Sequence, residues 1–219
     1  VYDRNMNILA SSVGVENVYL DPHELKQSGA DLNAVSAFLA PLLDREPEWI
    51  LEQGQDFRRR YKQVGSRISE ETAQKIRGFI QENAISGIHL EPAAMRTYPF
   101  GTLAAQVIGF TNLSGQGSEG VEAAYDSFLS GKTGKVITTK GNNEMDMPFS
   151  YEGFTASRSG CSVVLTLDAT VQEILEKQLR AAIDRYDVQN GAFGLVMNCK
   201  TGEILAMATL GSYDPNDYQ

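Results

Sequence analysis

Two copies of the tripeptide Lys-Thr-Gly, at residues 132–134 and 200–202, are the stretches of this sequence whose residue types could do chemistry. In serine enzymes that transfer acyl groups, this tripeptide lies beside a Ser-x-x-Lys nucleophile and base and a Ser-x-Asn motif. No serine of this chain is followed three positions later by lysine or two positions later by asparagine. The sequence therefore lacks the nucleophile and base that acyl transfer requires.

The first copy follows Gly131, so it also resembles the end of a phosphate-binding P-loop. A P-loop needs another glycine five positions earlier, so that its backbone amides can surround the phosphates. That position is Asp126, an acid, and the residues around it predict a helix where a P-loop would follow a strand. Both tripeptides are therefore interpreted as turns, with Gly131 ending a helix and with Gly134 and Gly202 as turn residues.

Other site chemistries are weakly supported. The chain has no Gly-x-Ser-x-Gly, and His23 and His89 have no second ligand at metal-binding spacing, so no metal or cofactor is expected. Cys161 and Cys199 follow no CxxC spacing and are interpreted as buried thiols, with a single bridge as the alternative. A small enzyme using an acidic pair is a further alternative. Glu122 is the most suggestive acid, although the helix dipole alone would favour an acid there.

Composition narrows the possible partners. The 219 residues carry a formal net charge of −9 with a pI near 4.8, which argues against nucleic acid as a ligand. The basic run "FRRRYK" at 57–62 is interpreted as a solvated helix end. No window holds the roughly 20 apolar residues of a membrane span, and the first residues lack signal-peptide features. Any anchoring segment is expected upstream of this sequence.

The first half of the chain is mostly helical in pattern. Residues 8–20 predict a strand that ends at the turn "DPHE", and residues 24–92 predict a helical subdomain. Asp31 and Ser69 are expected N-caps, and Pro47 is expected in a first helical turn. The expected buried positions of these helices are Leu32, Val35, Leu39, Leu42, Ala73, Ile76 and Ile80.

The second half alternates loops, hairpins and one long helix. A glycine-rich loop and a short helix precede a hairpin over 135–153, with its turn at "KGNN". Residues 161–167 predict a strand, and Asp168 is expected to cap a helix that pairs Glu176 with Arg180. The expected buried stripe of that helix is Val171, Leu175, Leu179, Ala182 and Tyr186. A second hairpin is predicted around 200–202.

Five segments, taken together and in order, resemble the class B (monofunctional) penicillin-binding proteins. They are "DRNMNILASS", "RTYPFGTLAAQVIGFTN", "GQGSEGVEAAYDSFLSGKTG", "VVLTLDATVQEILEKQL" and "KTGEILAMATLGSYDPNDY". The resemblance spans residues 1–219. Met6 stands where the family usually has glycine, so the first turn is expected to differ there.

The resemblance implies an α+β fold. It predicts an extended, β-rich pedestal over 1–160, with a helical head at about 24–92. Residues 161–219 would be an incomplete strand–helix–hairpin from the start of the transpeptidase domain. In the family, the Ser-x-x-Lys serine comes later than residue 219, so this chain is expected to be inactive.

The resemblance also implies a function for the parent protein, which is penicillin-sensitive peptidoglycan D,D-transpeptidation in cell-wall or spore-cortex synthesis. The chain itself is expected to position the catalytic domain and to contact partners. These would be a polytopic glycosyltransferase and division, elongation or sporulation factors, with peptidoglycan as the parent's substrate and with possible self-association. It would lie on the extracytoplasmic face of the plasma membrane, anchored by a helix outside this chain. A stand-alone extracytoplasmic adaptor is the alternative.

Ten residues match family positions that hold the pedestal together or link it to the catalytic domain. An arginine can bind a carboxylate through two parallel hydrogen bonds, so Glu122 is expected to pair with Arg96 or Arg4. No catalytic, cofactor or metal residue is expected. The matching positions are Arg4, Arg96, Tyr98, Pro99, Gly101, Gly120, Glu122, Tyr125, Gly131 and Asp168.

Overall fold

The computed structural model describes residues 1–58, 60–132, 134–138, 151–156, 158–209 and 211–217. The chain forms two compact units, one of Ser12–Met95 and the other of Val1–Ser11 with Arg96–Gln219. Helices and strands are mixed in both units, which confirms the predicted α+β class. The predicted domain boundary near residue 160 stays a prediction.

The Ser12–Met95 unit is a three-stranded sheet with four helices. The strands lie in the order β2-β1-β3, and β1 pairs with β2 in antiparallel register, with Glu16 opposite Ile68 and Leu20 opposite Lys62. Its elements are β1 Ser11–Leu20, α1 Pro22–Ser28, α2 Leu32–Leu43, α3 Pro47–Gln55, β2 Lys62–Ile68, α4 Glu70–Glu82 and β3 Ile88–Thr97, which runs past the end of the unit.

Three of the four helices of this unit, α2, α3 and α4, begin where the sequence predicts, whereas α1 begins at Pro22, inside the segment predicted as the turn "DPHE". The Asp31 side chain accepts from the Asn33 amide at 2.9 Å, the Ser69 hydroxyl accepts from the Thr72 amide at 3.2 Å, and Pro47 opens α3. The predicted apolar faces form the core: Val35, Leu39, Ala73 and Ile76 are buried, and Leu32, Leu42 and Ile80 pack against them.

The sequence did not predict strand β2 or the start of β3 within the helical segment 24–92. The pattern of β2 is interrupted because Gly65 lies against Leu43, where a Cβ would come within 2.6 Å of Cδ2. The strand is also irregular at Arg67, which has a φ of 56°. Alternation of apolar and polar residues, the main sequence signal of a strand, is lost at both positions.

The second unit contains short helices, two hairpins and one long helix. Strand β4 pairs with β5, and β6 pairs with β7, both in antiparallel register. The predicted "KGNN" turn of the first hairpin and Thr133 of the first Lys-Thr-Gly lie outside the described residues. The elements are α5 Ala105–Ile108, α6 Gly120–Ala124, α7 Asp126–Leu129, β4 Lys135–Thr138, β5 Tyr151–Thr155, α8 Ala169–Tyr186, β6 Phe193–Met197 and β7 Ile204–Thr209.

The strand predicted at 161–167 is not formed as a sheet strand. Only Val164 makes an isolated bridge, parallel to Tyr2. Its neighbours bond to the start of the chain: the Tyr2 amide donates to the Val163 carbonyl at 2.9 Å, and the Arg4 amide donates to the Leu167 carbonyl at 2.9 Å. The apolar run at 161–167 therefore bonds to residues 2–4. The local sequence does not predict this distant partner.

Helix α8 is capped as predicted, but its buried face is rotated. The Asp168 side chain accepts from the Thr170 and Val171 amides at 3.1 and 3.2 Å. Gln172 is buried, whereas Ala182 and Tyr186 of the predicted stripe are exposed. The side-chain amide of Gln172 donates to the Met207 carbonyl and accepts from the Met207 backbone amide, both at 2.8 Å. A polar side chain therefore forms the hydrogen bonds that a neighbouring strand would form with β7.

The second Lys-Thr-Gly is the hairpin turn that the sequence predicts. Gly202 has a φ of 77°, and its amide donates to the Asn198 carbonyl at 2.8 Å. The expectation of buried thiols is wrong, because Cys161 and Cys199 are exposed and unbonded. Among the helices described, none is both long enough and apolar enough to cross a membrane.

Candidate functional site: the buried Arg96–Glu122 pair

The Arg96–Glu122 ion pair is the most buried charged contact among the predicted site residues. Arg96 lies near the end of β3 and Glu122 in α6, and the Arg96 Nε donates to the Glu122 Oε1 at 2.8 Å. The two side chains are 13% and 2% exposed. Of the two partners that the sequence offered for Glu122, the structure therefore brings Arg96 to it.

A close crossing of backbone places Glu122. Gly120, at the start of α6, has a φ of 59°, and a Cβ there would come within 2.5 Å of the Val107 carbonyl oxygen. Gly109 has a φ of 76°, and a Cβ there would come within 1.8 Å of the Glu119 carbonyl oxygen. Both positions therefore require glycine, for conformation and for space.

Tyr98 lies beside the pair and is also buried. Its hydroxyl oxygen accepts from the Thr111 amide at 3.1 Å. Burial, with a further contribution from the Glu122 charge, raises the pKa of Tyr98 to about 12. The Asn216 side chain binds the Tyr98 backbone twice, accepting from its amide and donating to its carbonyl, each at 3.0 Å. The phenol is thus held neutral against the pair.

The first residues of the chain form a second group of contacts. Arg4 Nη2 lies 3.6 Å from Glu203 Oε2, and both side chains are partly exposed. Asn5 Nδ2 donates to Asp168 Oδ2 at 3.0 Å, so the cap of α8 also binds the N-terminal segment. Arg4 is therefore paired with Glu203, and Asp168 with Asn5, rather than with Glu122.

The remaining predicted positions serve turns or the surface. Pro99 and Tyr125 are exposed. Gly101 has a φ of 55°, and a Cβ at Gly131 would come within 2.5 Å of the Arg158 carbonyl oxygen.

Asp3 is a buried carboxylate that sequence reasoning missed. Its Oδ1 accepts from the Asn5 and Asn7 amides at 2.8 Å each, and its Oδ2 accepts from Asn7 Nδ2 at 2.9 Å and the Ala169 amide at 3.2 Å. Burial raises the pKa of Asp3, but these hydrogen bonds outweigh it and hold the pKa below its usual range. The spacing of Asp3, Asn5 and Asn7 is the signal that could have found this turn.

The second Lys-Thr-Gly lies at the surface of the described structure. Lys200 is exposed in a hairpin turn, and its amide donates to the Asn198 side chain at 3.0 Å. In the part of the chain that the structure describes, no group of three His, Cys, Asp or Glu side chains could hold a metal ion. The Arg96–Glu122 pair joins β3 to α6 through a buried ion pair.

A comparison with known protein families identifies the family of this chain. The family described as the Penicillin-binding Protein dimerisation domain matches residues 1–165, and the chain belongs to this family.

Relatives along the whole chain are longer proteins. Stage V sporulation protein D of Bacillus subtilis is 29% identical over 219 residues, which are 100% of this chain and 33% of that protein. Peptidoglycan D,D-transpeptidase FtsI of Escherichia coli K12 is 30% identical over 222 residues, 99% of this chain and 36% of that protein. The chain thus spans about a third of the length of these relatives.

A solved structure shares the fold. The complex between Penicillin-Binding Protein (PBP2) and MreC from Helicobacter pylori contains a chain that matches with a TM-score of 0.67 and 23% identity. The match covers 99% of this chain and 42% of that one. At this identity the similarity establishes the fold.

Proposed function

We propose that this chain is the non-catalytic N-terminal region of a peptidoglycan D,D-transpeptidase, in which it positions the catalytic domain and contacts other cell-wall synthesis proteins. The observation that carries the proposal is the buried Arg96–Glu122 pair, supported by the Gly109–Gly120 crossing, in a chain without a Ser-x-x-Lys sequence. A rigid pair and a close backbone crossing are what a domain that positions its neighbour needs.

The ten family-matching residues take structural parts in this proposal. Arg96, Tyr98, Gly120 and Glu122 would hold the pedestal rigid, and Arg4 and Asp168 would tie its first residues to the start of the transpeptidase domain. The contact between Asn5 and Asp168 supports the second part. The remaining four would shape turns and surfaces around them, and these are Pro99, Gly101, Tyr125 and Gly131.

The proposed partners are proteins of cell-wall synthesis, including a polytopic glycosyltransferase and division, elongation or sporulation factors. The solved PBP2–MreC complex of a protein with this fold supports the kind of partner. The proposed location is the extracytoplasmic face of the bacterial plasma membrane, with an anchoring helix upstream of Val1. Self-association is proposed on the family's description as a dimerisation domain.

Two experiments test the proposal. Incubating the 219-residue chain with a fluorescent penicillin should give no covalent labelling, and stoichiometric labelling would contradict the inactive assignment. Surface plasmon resonance against the polytopic glycosyltransferase of the same organism, held in nanodiscs, should give saturable binding. No binding to that protein, nor to the organism's MreC-type protein, would refute the partner assignment.

A stand-alone adaptor is the alternative function, and the gene distinguishes the two. A Ser-x-x-Lys sequence encoded downstream of Gln219, followed by a further Lys-Thr-Gly, supports the transpeptidase. A stop codon soon after Gln219 supports the adaptor.

A further inference from the structure

Four residues of the basic run that the sequence placed at a helix end lie exposed between a helix and a strand of the Ser12–Met95 unit. Helix α3 ends at Gln55, and β2 begins at Lys62. Between them Phe57 and Tyr61 are 43% and 46% exposed, and the Arg58 side chain is 88% exposed. Phe57, Arg58, Arg60 and Tyr61 are called here the aromatic–basic loop.

One carboxylate fixes this loop at both ends. Asp56 accepts from the Arg58 amide at 3.1 Å and from the Arg58 guanidinium at 2.8 and 3.1 Å. It also binds the Lys62 ammonium at the start of β2. The hydrogen bonds from Arg58 and then from Lys62 hold the pKa of Asp56 well below its usual range. The loop is therefore closed by charge-assisted bonds before any partner binds.

The ring of Tyr61 is held between two other rings. Tyr19 stacks on it with ring centroids 4.9 Å apart, and His89 stacks on it at 5.4 Å. The Tyr61 hydroxyl donates to Glu91 Oε1 at 3.3 Å, and His89 Nε2 lies 2.9 Å from Glu24 Oε2. The orientation of this exposed tyrosine is thus set by its neighbours.

Phe57 is supported in the same way. His23 meets its ring edge-on at 5.4 Å, and the Lys26 ammonium lies 5.2 Å from the ring centroid. His23 Nε2 donates to the Phe57 carbonyl at 3.2 Å. The two histidines of the chain therefore contact the two aromatic residues of the loop, His23 at Phe57 and His89 at Tyr61. These contacts order both aromatic side chains at the surface.

We propose that the aromatic–basic loop docks an acidic segment of a protein partner. Carboxylates of the partner would bind Arg60 and the Nη1 side of Arg58, since Asp56 binds Nε and Nη2 of Arg58. Apolar side chains of the partner would cover the exposed parts of Phe57 and Tyr61. Tyrosine and arginine are the residue types that dominate binding energy at protein interfaces, and a loop ordered in advance loses little entropy on binding. On a chain of net charge −9, this concentration of exposed arginines selects a partner of opposite charge.

The surroundings favour a discrete protein segment over a membrane surface. Membrane attraction needs a cluster of about four to eight cations. Of the four cations described at this loop, which are Lys26, Arg58, Arg60 and Lys62, two already bind Asp56. A polar groove of about 540 Å³ beside the loop, lined in part by Gln53 and Gln63, gives a partner chain room to lie.

The inference deepens the proposed function by naming a partner surface, but its test needs neither a cell-wall protein nor a catalytic domain. A random 16-residue peptide library on phage is selected on the 219-residue chain and counter-selected on its Arg60→Glu variant. Enriched peptides should carry acidic residues beside an aromatic or aliphatic residue. Binding of a fluorescein-labelled peptide, followed by polarisation, should weaken about tenfold or more in Arg60→Glu and in Tyr61→Ala.

Controls separate this loop from the rest of the surface. Arg45 lies over Trp49 elsewhere in the same unit, and Arg45→Glu should change the affinity less than about twofold. Raising the salt from about 50 to 500 mM should weaken binding, because the ion pairs are exposed. A library without an acidic consensus overturns the proposal, as does equal loss in Arg45→Glu. Arginine-dependent binding to phosphatidylglycerol vesicles without peptide binding would assign the loop to a membrane instead.

Discussion

Replacing Glu122 with glutamine removes the negative charge beside Arg96 while keeping the size of the side chain. Glu122 is 2% exposed and Arg96 13% exposed, so the guanidinium would keep its charge in a site that water barely reaches. The neutral amide can still accept one hydrogen bond, but it supplies no charge.

The magnitude follows from this burial. Breaking a buried ion pair by removing one partner costs about 3–5 kcal/mol, because an uncompensated charge remains. The slight accessibility of Arg96 lets water offset part of that cost, so we expect a loss of about 3 kcal/mol in the free energy of unfolding. For a unit of this size, that loss corresponds to a fall in Tm of roughly 10 °C.

Hydrogen exchange read by mass spectrometry measures this locally. Peptides covering 96–111 and 117–125 should exchange faster in Glu122→Gln. The expected factor is the one that corresponds to a loss of about 3 kcal/mol in the free energy of opening. The single tryptophan, Trp49, lies in the other unit, so its fluorescence does not report on this site directly. Glu173→Gln, at an exposed position of α8, is the matched control and should leave the exchange unchanged.

Two results would refute the reasoning. One is a loss below about 1 kcal/mol, the value of an exposed ion pair. The other concerns the double variant Arg96→Met with Glu122→Leu, which removes both charges and keeps apolar bulk. It should regain much of the lost stability. If it is as unstable as Glu122→Gln, an uncompensated charge is not the cause.

Four further changes have expected outcomes. Met6 has a φ of 67°, so Met6→Gly should raise stability by about 0.5–1 kcal/mol in urea unfolding, and Met6→Ala should not. Gly120→Ala should cost more than about 2 kcal/mol, whereas Gly115→Ala, also at positive φ but with open space around it, should cost about 1 kcal/mol. The pKa of Tyr98 is raised from 10.0 to about 12. The contribution of neutral Tyr98 to the free energy of unfolding is therefore complete below pH 10 and is lost as pH rises through 12. Tyr98→Phe should remove an alkaline loss on the order of 2 kcal/mol between those pH values, measured by unfolding at each pH. The pKa of Asp3 is lowered, so its contribution is present above about pH 4 and is lost as pH falls below that. Asp3→Asn should be less stable at pH 7 and should lose this acid dependence in a pH series of melts.

Local signals predicted the starts of helices and the second hairpin. Asp31, Ser69 and Asp168 cap their helices because a cap depends on a side chain and amides two or three residues away. Gly202 ends a tight turn because its own φ is positive. These features need no knowledge of the rest of the fold.

Features that depend on distant partners were not predictable. Gln172 is buried because it binds the edge of β7, and an amphipathic pattern gives no reason to bury a glutamine. Cys161 and Cys199 adjoin apolar runs, but both side chains are exposed. Arg4 and Arg96 were equal candidates for Glu122 in the sequence, and only the path of β3 places Arg96 there. The resemblance supplied the residues, and the three-dimensional arrangement decided their partners.

The bonds between the first residues and the start of α8 have a consequence for how the protein folds. Asp3 and Ala169 are 166 positions apart, so Asp3 waits for its last hydrogen-bond donor for about 8–30 s of synthesis. Residues 12–95 form a compact unit of their own and can fold during that interval. Closure of the unit formed by Val1–Ser11 with Arg96–Gln219 is then a late, non-local and slow step. Until it occurs, residues 1–10 lack these partners and are accessible to proteases.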